Sequence, residues 1–197
     1  MTDTKSSERG GGGRRRLLAV LLACLTAGSL TAGALSLALF TSTATLGANA
    51  FTAGTVVIGT NPATALFTLG SMMPGDTVTN PLVVSNTGTA QLRYAMTSSS
   101  TNTDTKGLMN QVNLTVKTLG TSCAAFDGTT VYSGTLASAA FGNPATGNQA
   151  GDRTLAASTS ETLCFQASLP LATGNAFQGA TTTTTFTFSA EQTANNP

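Results

Sequence analysis

The chain has 197 residues, of which only 9% are charged, with no His and no Trp; that is enough length for one ordinary domain with its own core. Thr, Ser, Ala and Gly dominate, a composition that fits an exported β protein and excludes a coiled coil or a highly charged disordered chain. The first sixteen residues carry Lys5, Arg9, Arg14, Arg15 and Arg16 against Asp3 and Glu8, a net charge of +3, and the remainder sums to −2. No basic surface is therefore on offer to nucleic acid.

In chain order, Gly10–Gly13 is a glycine run without the Lys-Ser/Thr of a phosphate loop, and it reads as a flexible leader. From Leu17 to Gly75 there is no charged residue, and Leu17–Phe40 is rich in Leu and Ala. Three arginines, an apolar run, and Ser36-Leu37-Ala38 with small residues at its first and third positions make the three regions of a signal peptide. Cleavage is expected after Ala38, with the peptidase reading Ser36 and Ala38, so that residues 1–38 form an apolar signal helix. Two other readings stay open: a retained membrane anchor, since 24 uncharged residues can span a bilayer, and a lipoprotein acylated at Cys24. The triple arginine also permits a twin-arginine route, but no cofactor requires folding before export; the membrane is a partner only through this segment.

Residues 39–50 form an extension in which Phe40, Ser42, Ala44, Leu46, Ala48 and Ala50 alternate with Thr41, Thr43, Thr45, Gly47 and Asn49. This uncharged, proline-free pattern predicts a detachable strand that pairs with an open sheet edge, with Phe40, Ala44, Leu46 and Ala48 as its assembly face. Pairing within its own subunit, or a disordered leader, are the alternatives.

Residues 51–197 break into Thr/Val/Phe-rich runs separated by Gly, Pro, Asn and Asp, which predicts strands over Phe51–Ile58, Ala63–Leu69, Thr77–Ser85, Gln91–Thr97, Gln111–Leu119, Thr129–Leu136, Ser160–Leu169 and Thr181–Ala190. About eight strands suit an all-β, jelly-roll-like sandwich. Alternation places Val112, Leu114 and Val116, then Leu163, Phe165, Ala167 and Leu169, then Phe186, Phe188 and Ala190 in the core. A helical turn capped by Thr103 is expected over Asp104–Asn110, and Asn143–Asp152 reads as a surface loop.

With the leader removed, Cys123 and Cys164 are the only cysteines, and an oxidising compartment pairs them in a disulfide; two separately buried thiols are the other reading.

Three segments carry a resemblance: MMPGDTVTNPLVVSNTGTAQLRY over Met72–Tyr94, LFTSTATLGANAFTAGTVVIG over Leu39–Gly59, and FTFSAEQ over Phe186–Gln192. The sequence resembles the TasA/camelysin family there, whereas residues 102–157 match no motif. Within the first segment, Pro74-Gly75-Asp76 and Asn86-Thr87-Gly88 are turn formers at either end of a strand. The resemblance implies two incompatible functions, a fibre subunit of the biofilm matrix exported through a SipW-type signal peptidase, and a casein-cleaving metalloprotease.

Residue chemistry favours the first. A zinc protease needs imidazoles or comparable ligands around an open metal position, and the chain has no His. No Gly-x-Ser-x-Gly elbow is present, and a Ser or Cys nucleophile would lack an imidazole base. Leu169-Pro170-Leu171-Ala172-Thr173-Gly174 departs from a sortase signal by one extra residue between Pro and Thr. The expectation is a non-enzymatic, secreted structural subunit at the cell surface or in the matrix, forming homopolymers and using no cofactor or metal. A monomeric adhesin-like binding module is the alternative, with a camelysin-like protease behind it; Tyr94 and Tyr132 are the only tyrosines available to stack on a glycan.

Overall fold

The computed structural model describes residues 50–196, and a compact unit starts at Phe51. Its strands are β1 (Ile58–Asn61), β2 (Thr77–Asn86), β3 (Leu92–Ser100), β4 (Asn113–Thr118), β5 (Thr130–Thr135), β6 (Ala140–Phe141), β7 (Arg153–Leu155), β8 (Thr159–Ser168) and β9 (Thr184–Gln192). The fold is all-β. One sheet has the order β1-β2-β8-β4-β5; in the other, β9 lies on one side of β3, and β6 and β7 share its other side. All pairings are antiparallel.

Period-two patterning aims one face of each sheet at a shared core. Leu82, Val84, Leu114, Val116, Leu163 and Phe165 of the first sheet meet Leu92, Tyr94, Met96, Phe141 and Leu155 of the second. Phe186 and Phe188 pack on this core half-buried, with Phe186 5.5 Å from Phe165 between ring centroids. The faces expected for Val112–Val116 and Leu163–Leu169 are thus the buried ones.

The registers define two poles. At one, the end of β2 faces the start of β8 (Asn86 opposite Thr159), and the start of β3 faces the end of β9 (Leu92 opposite Gln192). At the other lie the start of β2 (Thr77 opposite Ser168) and the start of β9 (Thr184 opposite Ser100).

Several expected elements differ. Of Phe51–Ile58, only Ile58 falls within a strand. Val57 and Thr55 do accept from Thr87 N and Thr89 N, both at 3.0 Å, but their partner is a tight loop that cannot continue a ladder. Ala63–Leu69 is no strand either: it covers the part of β2 that carries Pro81, which has no N–H to give. Asn80 Nδ2 donates instead to Leu66 O (2.6 Å), and Leu66 and Phe67 tuck into the core. The helical turn shrinks to a 3-10 turn at Leu108–Asn110, capped by left-handed Gly107 and not by Thr103. Asp104 causes this, because Oδ1 accepts from Lys106 N (3.0 Å) and Oδ2 from Thr181 N (2.6 Å), which holds residues 104–106 in a turn. Short β6 and β7 were not anticipated; they flank the surface loop of residues 143–152, which is a loop as expected.

Candidate functional site

Among the described residues, all six carboxylates and all four basic side chains are committed to internal contacts. Asp76 Oδ2 accepts from Met73 N (2.8 Å) inside the Met73–Asp76 turn, where Gly75 takes φ +97°. Asp127 Oδ1 accepts from Thr121 N (2.9 Å), and Asp152 accepts from Asn143 N (2.8 Å) and Gln149 N (3.0 Å). Hydrogen bonds to Thr181 and then Lys106 hold the Asp104 carboxyl below its usual range. Bonding to Thr121, side chain first, does the same for Asp127. Lys106 Nζ donates to Gln178 O (2.7 Å), and Lys117 Nζ to Phe126 O (2.9 Å) while sitting 4.6 Å over the Phe126 ring.

The remaining charges bind strands together. Glu161 on β8 accepts from the Tyr94 hydroxyl (2.6 Å) and from Arg153 Nε (3.0 Å), and it also pairs with Arg153 Nη2. Tyr94 and Arg153 stand on β3 and β7, so this cluster ties the two sheets together. Burial, then the bond to Glu161, pushes the Tyr94 phenol far above its ordinary value, and Glu161 raises Arg153. Tyr94 is 1% exposed and is no stacking platform. Arg93 Nε lies 2.8 Å from Glu191 Oε1, an ion contact not aligned as a hydrogen bond, and Gly147 N donates to the same oxygen (3.0 Å). The 143–152 loop is thereby strapped over the outer face of β3, leaving a cavity of about 210 Å³ beside Arg93.

Two structural locks complete the domain. Cys123 and Cys164 form a disulfide with Cα atoms 5.2 Å apart, joining the 119–128 loop to β8. Buried Asn86 donates through Nδ2 to Ala90 O (2.9 Å), Leu155 O (3.2 Å) and Ala156 O (3.0 Å), while Oδ1 accepts from Gly88 N (2.9 Å). A Cβ on Gly88 would lie 2.3 Å from Thr55 O, so that position admits no side chain. The Asn86-Thr87-Gly88 turn is thus a lock between three segments, which its turn chemistry alone did not reveal.

The sheet edges are unequal. Among the described residues, β9 pairs with β3 alone along nine residues, from Thr184 to Gln192. The partner-free part of β2 carries Pro81, and β5 is six residues long beside a register shift at Val116/Lys117. Ser36, Ala38, Phe40, Ala44, Leu46, Ala48 and Cys24 lie outside the described residues.

Residues 14–196 match the family described as camelysin metallo-endopeptidase. The chain belongs to the camelysin family. No curated protein matches the sequence. The family's description implies a metal, and the residues of this camelysin-family chain do not fit one: there is no His, and the described residues hold no group of three or more Cys, Asp or Glu placed to share an ion. Cys123 and Cys164 are bonded to each other, and each described carboxylate is already engaged as given above.

Proposed function

We propose that this camelysin-family chain is an exported structural subunit of extracellular fibres, a jelly-roll-like sandwich whose segment Phe40–Ala50 adds a strand to the next copy. The observation that carries the reading is the one-sided pairing of β9. The backbone donors and acceptors turned away from β3 along this nine-residue edge, with Glu191 as the only charge and no Pro, form a ready template for an added strand. The alternating, uncharged Phe40–Ala50 segment is the matching donor, and the internal use of every described charge suits a building block better than a binding site. Deleting Leu39–Ala50, or making Leu46→Asp, leaves folded, soluble monomers where wild type forms fibres visible by negative-stain microscopy. Equal polymerisation of both variants and wild type would overturn the reading.

The family's description supports a second reading, metal-dependent proteolysis. The donor set argues against it, and the experiment that separates the two is given in the Discussion.

A further inference from the structure

Among the described residues, Arg93 is the only base whose side chain donates no hydrogen bond to the protein. It alternates with the core residues Leu92 and Tyr94 on β3, so its side chain lies on the outer face of the sheet, beneath the loop of residues 143–152. There it is 6% exposed. Nε and Nη2 are shut off from solvent and meet no acceptor in hydrogen-bonding geometry, the Glu191 contact included. Nη1 is bonded to no protein acceptor either and, by elimination, carries the polar surface that the guanidinium shows. Burying a guanidinium without bonded acceptors is unfavourable, and the space beside this one is the cavity of about 210 Å³. Both walls of that cavity are fixed. The roof, the 143–152 loop, is pinned at three backbone nitrogens, with Asp152 accepting from Asn143 N and Gln149 N and Glu191 accepting from Gly147 N. The floor is the β3–β9 pair, where Arg93 stands opposite Glu191 and Ala95 opposite Ser189.

We infer that this cavity binds one neutral sugar unit of a carbohydrate, with Arg93 donating to one ring hydroxyl and Glu191 accepting from its neighbour. The site holds whether or not the chain polymerises. Charge selects a neutral ligand. Among the lining residues Arg93 is outweighed by Asp152 and Glu191, 1 − 2 = −1, so a phosphate, sulfate or carboxylate meets net repulsion, while a cation meets the guanidinium. The ligand is therefore uncharged, yet it must offer an acceptor beside a donor, because Arg93 only donates and Glu191 only accepts. Adjacent hydroxyls do this, since each both gives and takes a hydrogen bond. Ser189 and Thr146 also line the cavity, and their hydroxyls adapt to either role. Size agrees: the volume lies below the roughly 300–1,000 Å³ of pockets for drug-sized ligands, which suits a single ring. Tyr94 lines the cavity too, but at 1% exposure it offers no ring face, so affinity rests on hydrogen bonds and is about millimolar.

The test uses the full-length chain, expressed with its own leader and recovered from the culture, and saturation-transfer NMR observed on the ligand, which serves monomers and fibres alike. The probes are methyl α-glucoside, methyl β-galactoside and N-acetylglucosamine, with glucuronate and acetamide as comparisons. At least one neutral sugar should give a saturable signal, and glucuronate should bind about tenfold more weakly than the best of them. Ser189→Leu, which fills the cavity from the outer face of β9, should abolish the signal. Arg93→Lys keeps the charge but loses the planar fork, and should raise Kd about tenfold. Circular dichroism checks that each variant is folded, and either decides alone if the other does not fold. No saturable signal from any of the three sugars overturns the inference, as does a signal that both folded variants retain. Glucuronate binding more tightly than every neutral sugar would overturn the charge argument, and binding of acetamide alone would make the ligand a carboxamide instead.

Discussion

Asn86 and Gly88 show how much of this domain hangs on single uncharged residues. One buried amide satisfies three carbonyls, one from the loop after β2 and two from the end of β7 and the residue that follows it, and the glycine two positions later lets the incoming chain pass at backbone contact. Asn86→Ala strands those carbonyls at a cost of about 1–3 kcal/mol. Gly88→Ala must push residues 55–57 away, at about 1–3 kcal/mol, a fall in Tm of roughly 3–9 °C for a domain of this size. Gly70→Ala, where an added Cβ meets nothing within 4 Å, is the control and should stay within about 0.5 kcal/mol of wild type. Thermal melts of the three variants check this, and a Gly88→Ala protein that melts with wild type would contradict the packing argument.

At the scale of elements, the disulfide is the clearest case. Cys164 sits in β8, between β2 and β4, with Leu163 and Phe165 facing the core on either side of it. Cys123 brings the 119–128 loop down onto the other face of that strand, where Lys117 and Phe126 also meet. The bridge spans 41 residues of sequence, for which the chain-entropy model gives a stabilisation of about 3–4 kcal/mol. Reduction should therefore lower the melting temperature substantially, and hydrogen exchange should rise first in residues 119–128. An unchanged melt after complete reduction, verified by alkylation and mass, would refute that role.

For the whole molecule, the family's description and the donor set point in different directions, and an assay separates them. Purified protein incubated with casein and zinc should leave casein intact, because each described carboxylate already accepts an internal hydrogen bond or pairs with a base and the chain has no imidazole. Chelator-sensitive cleavage in a preparation free of host proteases would establish the protease reading instead.

How far this was readable in advance differs by feature. The all-β class, the inward faces of Val112–Val116 and Leu163–Leu169, the Cys123–Cys164 pair and the camelysin kinship were legible from the residues, because period-two alternation, cysteine parity and turn motifs are local properties of a chain. Ala63–Leu69 looked like a strand by the same local criteria and is not one, since a strand needs a partner, and the neighbouring stretch of β2 holds Pro81. The helical turn at residues 104–110 failed for a similar reason: Asp104 bonds to Thr181, a residue 77 positions away that no local pattern brings near. Which edge stays one-sided and which carboxylates are consumed internally are outcomes of long-range pairing. Composition and periodicity specify what each segment can bury; only the folded topology decides what it meets.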